Sequence, residues 1–244
     1  MALVFSLLFW GFLLVTSVLL FPLALLIRLA TSLFDRRLMI LHLFSCFWAS
    51  LYTWSNPLWT VRIEGREKIP RSFPSVMVAN HQSLVDILVL FRLMVHFKWV
   101  SKSENFRIPF IGWNMALNRY IRIDRGSVRG NIGMMRAATE ALTQGSSVMI
   151  FPEGTRSPDG TVHPFKAGAF ELALKTGCPI LPIVIEGTAA ALPKRGFILR
   201  GRQNIVVRVL SPVRIERFLA GGATAFAATV KEMVAGELSL MRKS

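Results

Sequence analysis

Two long uncharged runs occupy the first sixty residues of the chain. Residues 2–27 contain no charged side chain, and this run is longer than the roughly 20 residues that cross a bilayer core. It lacks a clear basic beginning and cleavage site, so we interpret it as a retained membrane segment rather than a signal peptide. Residues 38–60 form a more mixed run with three tryptophans, a residue type enriched at membrane interfaces. We expect this second run to span, to re-enter or to lie in the interface; the alternative is that both runs are core helices.

Basic residues flank the second run on both sides. Arg28, Arg36 and Arg37 precede it, and a further basic stretch follows it at residues 62–71. Two complete spans would place these stretches on opposite sides of the membrane, which the positive-inside rule disfavours. Either the first segment spans and the second stays at the cytoplasmic face, or both form a hairpin that dips into one leaflet. Both arrangements predict membrane-associating helices over residues 1–60 and a domain over residues 61–244 at the cytoplasmic face of an inner or equivalent membrane.

Short β-branched runs alternate with helical stretches after residue 60. The predicted strands are residues 61–64, 76–79, 99–101, 120–124, 148–151, 180–185 and 205–210. The predicted helices are residues 84–95, 109–117, 128–143, 167–176 and 223–240. This alternation predicts an α/β domain with a mixed, largely parallel sheet flanked by helices. Ligands of such sheets gather at the carboxyl ends of the strands, which is where two polar motifs lie.

Composition narrows the range of partners. The 244 residues carry 29 Lys and Arg against 14 Asp and Glu, a net charge of +15, and the mean hydropathy is +0.47. Beside a membrane segment, this charge favours an anionic lipid surface or a polyanionic substrate over nucleic acid, because no groove-reading motif accompanies it. Cys46 and Cys178 match neither a disulfide framework nor a metal-ligand spacing. We therefore expect a reducing, cytoplasm-facing environment.

A histidine and an aspartate lie five positions apart in the motif NHQSLVD at residues 80–86. Five residues of a continuous α-helix turn through about 500°, so the two side chains cannot share one face of a helix. They can meet if His81 lies in a turn, Ser83 caps a helix that starts at Leu84, and Asp86 lies in its first turn. Asp86 would then hold Nδ1–H and leave Nε2 free as a general base for an alcohol. The alternative is that Asp86 only caps the helix.

A second polar motif, FPEGTRS at residues 151–157, follows another predicted strand. Gly154 lets the backbone approach a ligand, Arg156 offers a planar fork suited to phosphate, and Thr155 adds a hydroxyl. We interpret Glu153 as orienting a ligand hydroxyl or Arg156. An exposed β-turn is the alternative, because turn-forming residues follow at once. Further candidate cations for an anionic ligand are Lys102, Arg119, Arg122, Arg125 and Lys166.

Four sequence blocks, in this order, resemble those of the glycerolipid acyltransferases. The first is the His-x4-Asp block at residues 80–86, and the second joins Lys102 to IPFIG at residues 108–112. The third is residues 151–157, and the fourth is ILPIVI at residues 180–185. Together they are most similar to the 1-acyl-sn-glycerol-3-phosphate acyltransferases, over residues 61 to about 215. The paired apolar runs resemble the two-helix membrane motif that some members carry before the catalytic domain.

The resemblance implies a reaction. His81 would take the proton from the sn-2 hydroxyl of lysophosphatidic acid, and the alkoxide would attack the thioester of acyl-CoA or acyl carrier protein, giving phosphatidic acid. Arg156 and Lys102 would hold the acceptor phosphate. Its pocket would be shaped by Glu153, Gly154 and Thr155. No metal or organic cofactor is implied. The alternatives are a related O-acyltransferase for another lysophospholipid or a lyso-amino-acid lipid, and a non-catalytic membrane module that binds anionic lipid.

Overall fold

The computed structural model describes residues 1–194 and 196–243. The described chain begins with two helices, α1 (Ala2–Ala30) and α2 (Met39–Trp54). Its seven strands are β1 (Trp59–Glu64), β2 (Val76–Ala79), β3 (Phe97–Lys102), β4 (Ile121–Ile123), β5 (Ser147–Ile150), β6 (Ile180–Glu186) and β7 (Gln203–Val209). Its further helices are α3 (Val85–Phe91), α4 (Ile111–Leu117), α5 (Val128–Thr143), α6 (Gly168–Thr176), α7 (Thr188–Ala191) and α8 (Gly222–Lys243).

The strands form one sheet in the order β1-β7-β6-β2-β5-β3-β4. The pairing of β6 with β7 is antiparallel and the others are parallel. The central strands are buried almost throughout because helices cover both faces of the sheet. Alternate residues of β2 therefore pack into two cores: Met77 and Ala79 on the side of α1 to α4, and Val76 and Val78 on the side of α5, α6 and α8. The predicted mixed, largely parallel sheet flanked by helices is confirmed.

Each predicted strand occurs, with its ends displaced by at most two residues. The largest difference concerns α3, which was predicted for residues 84–95 and ends at Phe91. Beyond Phe91 the N–H groups of Arg92 and Leu93 bind carbonyl groups only three residues back, and Met94 adopts a φ of 52°. A left-handed residue cannot continue a right-handed helix, so α3 stops here.

The second uncharged run packs one face into the core of the domain, and α1 rather than α2 is long and apolar enough to cross a membrane. The other face of α2 exposes Ile40, Leu43 and Phe47, so its expected place at the membrane interface stays a prediction. α2 packs against α3 and buries Trp48 and Tyr52. The buried His42 of α2 is satisfied inside the domain: Nδ1 lies 2.8 Å from the Tyr120 hydroxyl, and Nε2 lies 3.0 Å from the carbonyl oxygen of Val95. These partners explain why this apolar run contains a histidine. The core that contains β2 and α3 therefore extends across the boundary predicted at residue 60.

Among the described helices, α1 is the one that is long and apolar enough to cross a membrane. One face is fastened to the domain, because the N–H of Leu199 donates to Ser6 Oγ (2.8 Å) and Trp10 Nε1–H donates to the carbonyl of Phe197 (2.7 Å). The opposite face exposes apolar side chains along the helix, including Leu3, Leu7, Leu14, Leu19, Leu26 and Leu29. The inner face of α1 thus belongs to the domain, while its outer face remains available to lipid.

Candidate active site

The histidine motif forms the turn between β2 and α3. The Asn80 side chain extends the sheet: its amide donates to the carbonyl of Ile185 (2.9 Å), and its Oδ1 accepts the N–H of Ile185 (2.8 Å). Ser83 Oγ donates to the carbonyl of Leu192 (2.7 Å). These bonds fix the turn to β6 and to the residue after α7, on either side of His81. Sequence reasoning assigned Asn80 no role, although its position directly after a strand was the available signal.

Asp86 is fully buried and organises the motif through one carboxylate oxygen. Its Oδ2 lies 2.8 Å from His81 Nδ1 and accepts the backbone N–H groups of Gln82 (2.6 Å) and Ser83 (2.8 Å). The same atom therefore contacts the histidine and fixes the backbone of the turn that precedes α3. Ser83 Oγ accepts the N–H of Val85 (3.2 Å), and α3 begins at Val85, one residue later than expected.

The imidazole of His81 is held between Asp86 and an aromatic face. Its ring stacks on Phe151, with the ring centroids 3.9 Å apart and the planes at 11°. Trp99 lies behind, with its ring centroid 5.5 Å from that of Phe151. The His81 side chain is 14% exposed, and it opens into a cavity. With Nδ1 bound to Asp86, the nitrogen left for a ligand is Nε2. Sequence reasoning gave Phe151 no role, although it is the first residue of the second motif.

Glu153 joins the two motifs. Its Oε1 accepts the backbone N–H of His81 (2.7 Å), and its Oε2 accepts the backbone N–H of His163 (3.1 Å). The N–H of Ser157 donates to the carbonyl of His81 (2.7 Å). We had interpreted Glu153 as orienting a ligand hydroxyl or Arg156, but its carboxylate is buried and binds backbone amides instead. Glu153 is therefore a positioning residue for His81.

Replacing Glu153 with glutamine should lower kcat and change the pH dependence of stability. Burial raises the pKa of Glu153, so the folded chain binds a proton here more tightly than the unfolded chain does. This carboxyl contributes stability below its unfolded pKa, and the contribution is lost as pH rises through the folded pKa. In the unaltered protein, this loss should lower the thermal unfolding midpoint as the pH rises. Glu153→Gln should remove this contribution to the pH dependence of the midpoint, measured in detergent between about pH 4 and pH 7. An unchanged pH slope together with an unchanged kcat would contradict the role given to Glu153.

The two motifs meet in one cavity of about 1080 Å³. His81 lies in its wall, and Gly154 and Thr155 line it as well. Four cations line the same cavity: Lys102, Arg125, Arg156 and Lys166. Of the residues that the sequence singled out for the site, Asp86 and Glu153 stand behind this wall and contact His81. His81 and a group of cations therefore face one cavity.

Gly154 allows Lys166 to lie over the second motif. The glycine adopts a φ of 74°, and a Cβ at this position would come within 2.9 Å of Lys166 Nζ. The backbone N–H of Lys166 donates to the carbonyl of Pro152 (3.0 Å), which holds the two segments together. A side chain at residue 154 would be strained by the backbone and would also displace the lysine.

Much of the remaining cavity wall is apolar and comes from the first helices. The contributing side chains of α1, α2 and α3 include Phe9, Leu13, Trp48, Tyr52, Leu88 and Phe91. Sequence reasoning assigned α1 and α2 to the membrane and so missed them as walls of the site. The aromatic residues of the second run were the available signal, because rings of this size fill and line large apolar spaces.

The basic residues that follow α4 serve two different cavities. Arg125 lines the cavity of His81, whereas Arg119 and Arg122 line a smaller neighbouring cavity. Tyr120 and Met134 line both. The three arginines are close in sequence, but the structure places them at two different cavities.

Comparison with known proteins decides the family. A family model described as Acyltransferase matches residues 60–186, just over half of the chain. The chain belongs to the acyltransferase family. This acyltransferase is 38% identical, over 72% of its length, to a chloroplastic 1-acyl-sn-glycerol-3-phosphate acyltransferase of Brassica napus, of which 52% is covered. It is 33% identical, over 73% of its length, to a 1-acyl-sn-glycerol-3-phosphate acyltransferase of Saccharomyces cerevisiae, of which 59% is covered. The chain spans about half the length of the curated relatives it matches.

The fold of this acyltransferase also matches a solved structure. The crystal structure of the 1-acyl-sn-glycerophosphate (LPA) acyltransferase of Thermotoga maritima aligns with a TM-score of 0.80 and 25% identity. The alignment covers 100% of this chain and 99% of that chain, so it includes α1 and α2. The resemblance drawn from the four sequence blocks is confirmed.

Proposed function

We propose that this acyltransferase transfers a fatty acyl group from a thioester to the sn-2 hydroxyl of 1-acyl-sn-glycerol-3-phosphate, giving phosphatidic acid. The observation that supports this proposal is the shared cavity, in which the His81–Asp86 pair faces the same space as four cations and an apolar wall. An acceptor with a hydroxyl, a phosphate and an acyl chain requires a base, cations and an apolar surface. The relatives above are named for this activity.

His81 acts as the general base in this proposal. Asp86 accepts a hydrogen bond from Nδ1–H, so the second nitrogen of the neutral imidazole, Nε2, carries no proton. Nε2 takes the hydroxyl proton while the hydroxyl oxygen attacks the thioester carbonyl carbon. The C–S bond then breaks, and the imidazolium returns the proton to the leaving thiolate, so no covalent acyl-enzyme forms. Asp86 stabilises the imidazolium between the two proton transfers, as the carboxylate of a catalytic triad does.

Arg156 binds the acceptor phosphate. A guanidinium makes two parallel hydrogen bonds to a phosphate, which an ammonium cannot do. Arg156 lines the cavity, and within the described part of the chain it makes no ion pair with a carboxylate that would compete with a phosphate. Further cations on the same wall add to the attraction, and these are Lys102, Arg125 and Lys166.

The donor is the thioester of acyl-CoA or of acyl carrier protein. Both are polyanionic, and the net charge of +15 favours the approach of either. The thioester is already activated towards attack by an alkoxide. The reaction as proposed therefore needs no metal and no organic cofactor.

The outer face of α1 anchors the enzyme in a bilayer. Exposed leucines follow this face from Leu3 to Leu29, and their burial in lipid is favourable by about 25 cal/mol per Å² of apolar surface. The inner face of α1 contributes Phe9 and Leu13 to the cavity wall, which gives a lipid acceptor a short path from the membrane. The excess of basic residues supports a site on the cytoplasmic face of the membrane.

Arg156→Lys should raise the KM for lysophosphatidic acid by about tenfold and change kcat much less, because the lysine keeps the charge and loses the fork. Initial rates measured against acceptor concentration, at saturating acyl-CoA in mixed micelles, give both constants. Arg71→Lys is the matched control, since Arg71 is exposed and lies outside the cavity. An unaltered KM would remove Arg156 from phosphate binding.

A panel of acceptors tests the proposed substrate. We expect purified full-length protein to show its highest kcat/KM with lysophosphatidic acid, ahead of lysophosphatidylcholine, lysophosphatidylglycerol and a lyso-amino-acid lipid. A higher value with one of the other acceptors would identify a related O-acyltransferase. Binding of anionic lipid without any acyl transfer would identify a non-catalytic module and overturn the proposal.

A further inference from the structure

A second cavity lies beside the active-site cavity and has no part in the reaction proposed above. It measures about 560 Å³ and is bounded by the connection between α1 and α2, by β3 and the edge strand β4, and by one face of α5. Six basic residues line it, namely Arg36, Arg37, Lys98, Arg119, Arg122 and Arg129. The acidic residues in its lining are Asp124 and Glu140. The basic side chains that line this cavity therefore outnumber the acidic ones by six to two.

Lys98 is the buried member of this group. The residue is 6% exposed, and its Nζ donates to the carbonyl groups of Arg37 (2.9 Å) and Asn118 (2.8 Å). No carboxylate in residues 1–194 and 196–243 lies within ion-pair distance of it. The nearby acid Asp35 is already engaged, because its two oxygens accept the N–H groups of Met39 (2.9 Å) and Ile40 (2.7 Å) at the start of α2.

The electrostatic cost of this arrangement is reflected in the pKa of Lys98. Burial, followed by repulsion from Arg119, lowers the pKa of Lys98 to about 8. A buried cation surrounded by further cations is unfavourable unless a counter-charge is present. A bound anion in the cavity would supply that charge.

The arginines around Lys98 have donors available for such an anion. Arg36, Arg119 and Arg122 are exposed and form no ion pair with any carboxylate that the structure describes. Arg122 stacks over the ring of Phe106, with its guanidinium carbon 4.6 Å from the ring centroid, which leaves its N–H edge unused. Several guanidinium groups converging on one space are suited to a phosphate group.

The apolar surroundings indicate where that phosphate comes from. Leu33 and Phe34 precede Arg36 in the same connection, and they are 91% and 69% exposed. They continue the lipid-facing surface of α1, which ends at Leu29 and Ala30 beside them. Exposed apolar side chains directly followed by basic ones are typical of a segment at the boundary between acyl chains and headgroups.

We propose that the second cavity binds the phosphate of an anionic phospholipid of the surrounding bilayer, at a site distinct from the acceptor site. The lipid tails lie along Leu33 and Phe34, and the headgroup lies among Arg36, Arg119 and Arg122. Tyr120 and Met134 line both cavities, so the bound headgroup abuts the wall of the active site. The proposal does not depend on the proposed reaction, since it concerns binding in the absence of a donor.

Calorimetric titration of the full-length protein in a nonionic detergent tests this site. Short-chain phosphatidylglycerol serves as the anionic lipid and short-chain phosphatidylcholine as the zwitterionic one. We expect the phosphatidylglycerol to bind more tightly, and the triple variant R36Q/R119Q/R122Q to bind it at least about tenfold more weakly, given the contribution of each basic side chain at an anionic surface. The matched control is R71Q/R202Q/R217Q, which removes the same charge from exposed positions outside both cavities and should change the affinity less than about twofold.

Three results would overturn the proposal. Equal weakening in both triple variants would indicate a general attraction to charge, and unchanged binding in the first would place the lipid elsewhere. Competition by coenzyme A, lost in the same variant, would assign the cavity to the donor. If R36Q/R119Q/R122Q does not fold, the unaltered protein provides a second test, in which phosphatidylglycerol should protect arginines of the cavity from modification by phenylglyoxal. Phosphatidylglycerol should slow modification of Arg119 relative to Arg71, and equal rates would count against the site.

Discussion

Replacing His81 with alanine should lower the rate of acyl transfer by about 10²–10⁴-fold, the contribution expected of a general base. The acceptor hydroxyl would keep its proton near neutral pH, whereas the cations of the cavity would remain in place. The KM for lysophosphatidic acid should therefore change little. Initial rates of phosphatidic acid formation from acyl-CoA, with the purified protein in mixed micelles, measure both effects.

Two controls separate the loss of a base from damage to the fold. His163→Ala keeps the backbone N–H that donates to Glu153 and removes a side chain that is 40% exposed, so its rate should stay near that of the unaltered protein. Free imidazole should restore part of the activity of His81→Ala, because the truncated side chain leaves space in a large cavity. A His81→Ala variant that is correctly folded and turns over normally would contradict the mechanism.

Asp86→Asn should lower kcat by about 10²–10⁴-fold, because a neutral amide neither fixes the His81 tautomer nor stabilises the imidazolium. Stability should fall as well. The carboxylate oxygen Oδ2 accepts three hydrogen bonds in a fully buried position, and charged hydrogen bonds of this kind are worth about 1.5–3 kcal/mol each. Steady-state rates and the denaturant midpoint of the same preparation give the two effects.

Asp35→Asn is the matched control for this variant. Asp35 is also a buried aspartate that accepts two backbone N–H groups at a helix start, but it lies outside the active-site cavity. It should lose stability and keep its kcat. If both variants lost kcat in proportion to stability, Asp86 would be a helix cap without a catalytic role.

The fold was largely predictable because its signals are local. The strands are short runs rich in β-branched residues, and those of β2 and β6 are apolar almost throughout because both faces are covered. The geometry around His81 was predictable for the same reason, since a five-residue spacing excludes a continuous helix. These inferences need only the periodicity of the backbone and the chemistry of the side chains.

The tertiary contacts of α2 and Glu153 could not be predicted from such local signals. α2 has the composition of an interfacial segment, and only the contacts of His42 with Tyr120 and Val95 show that this polar side chain is satisfied within the domain. Glu153 resembles a ligand-binding acid, yet its oxygens bind backbone amides of residues that lie far apart in the sequence. Partners of this kind depend on the packing of distant segments, which periodicity does not specify.

The division of the basic residues between two cavities could not be predicted from the sequence either. Arg119, Arg122 and Arg125 are spaced three residues apart, and the sequence offers no reason to treat them differently. The structure directs Arg125 towards His81 and the other two towards Lys98. A cluster of cations in a sequence therefore predicts attraction to anions and leaves the number of sites open.

The most direct test of the central claim is a structure of the protein with lysophosphatidic acid bound and no donor present. We expect the sn-2 hydroxyl oxygen to lie about 2.6–3.2 Å from His81 Nε2, the range in which a base can take the proton. The phosphate should lie on Arg156 in the same cavity. A lysophosphatidic acid bound with its hydroxyl remote from His81, or with its phosphate among Arg36, Arg119 and Arg122, would contradict the claim that one cavity combines the base with the phosphate site.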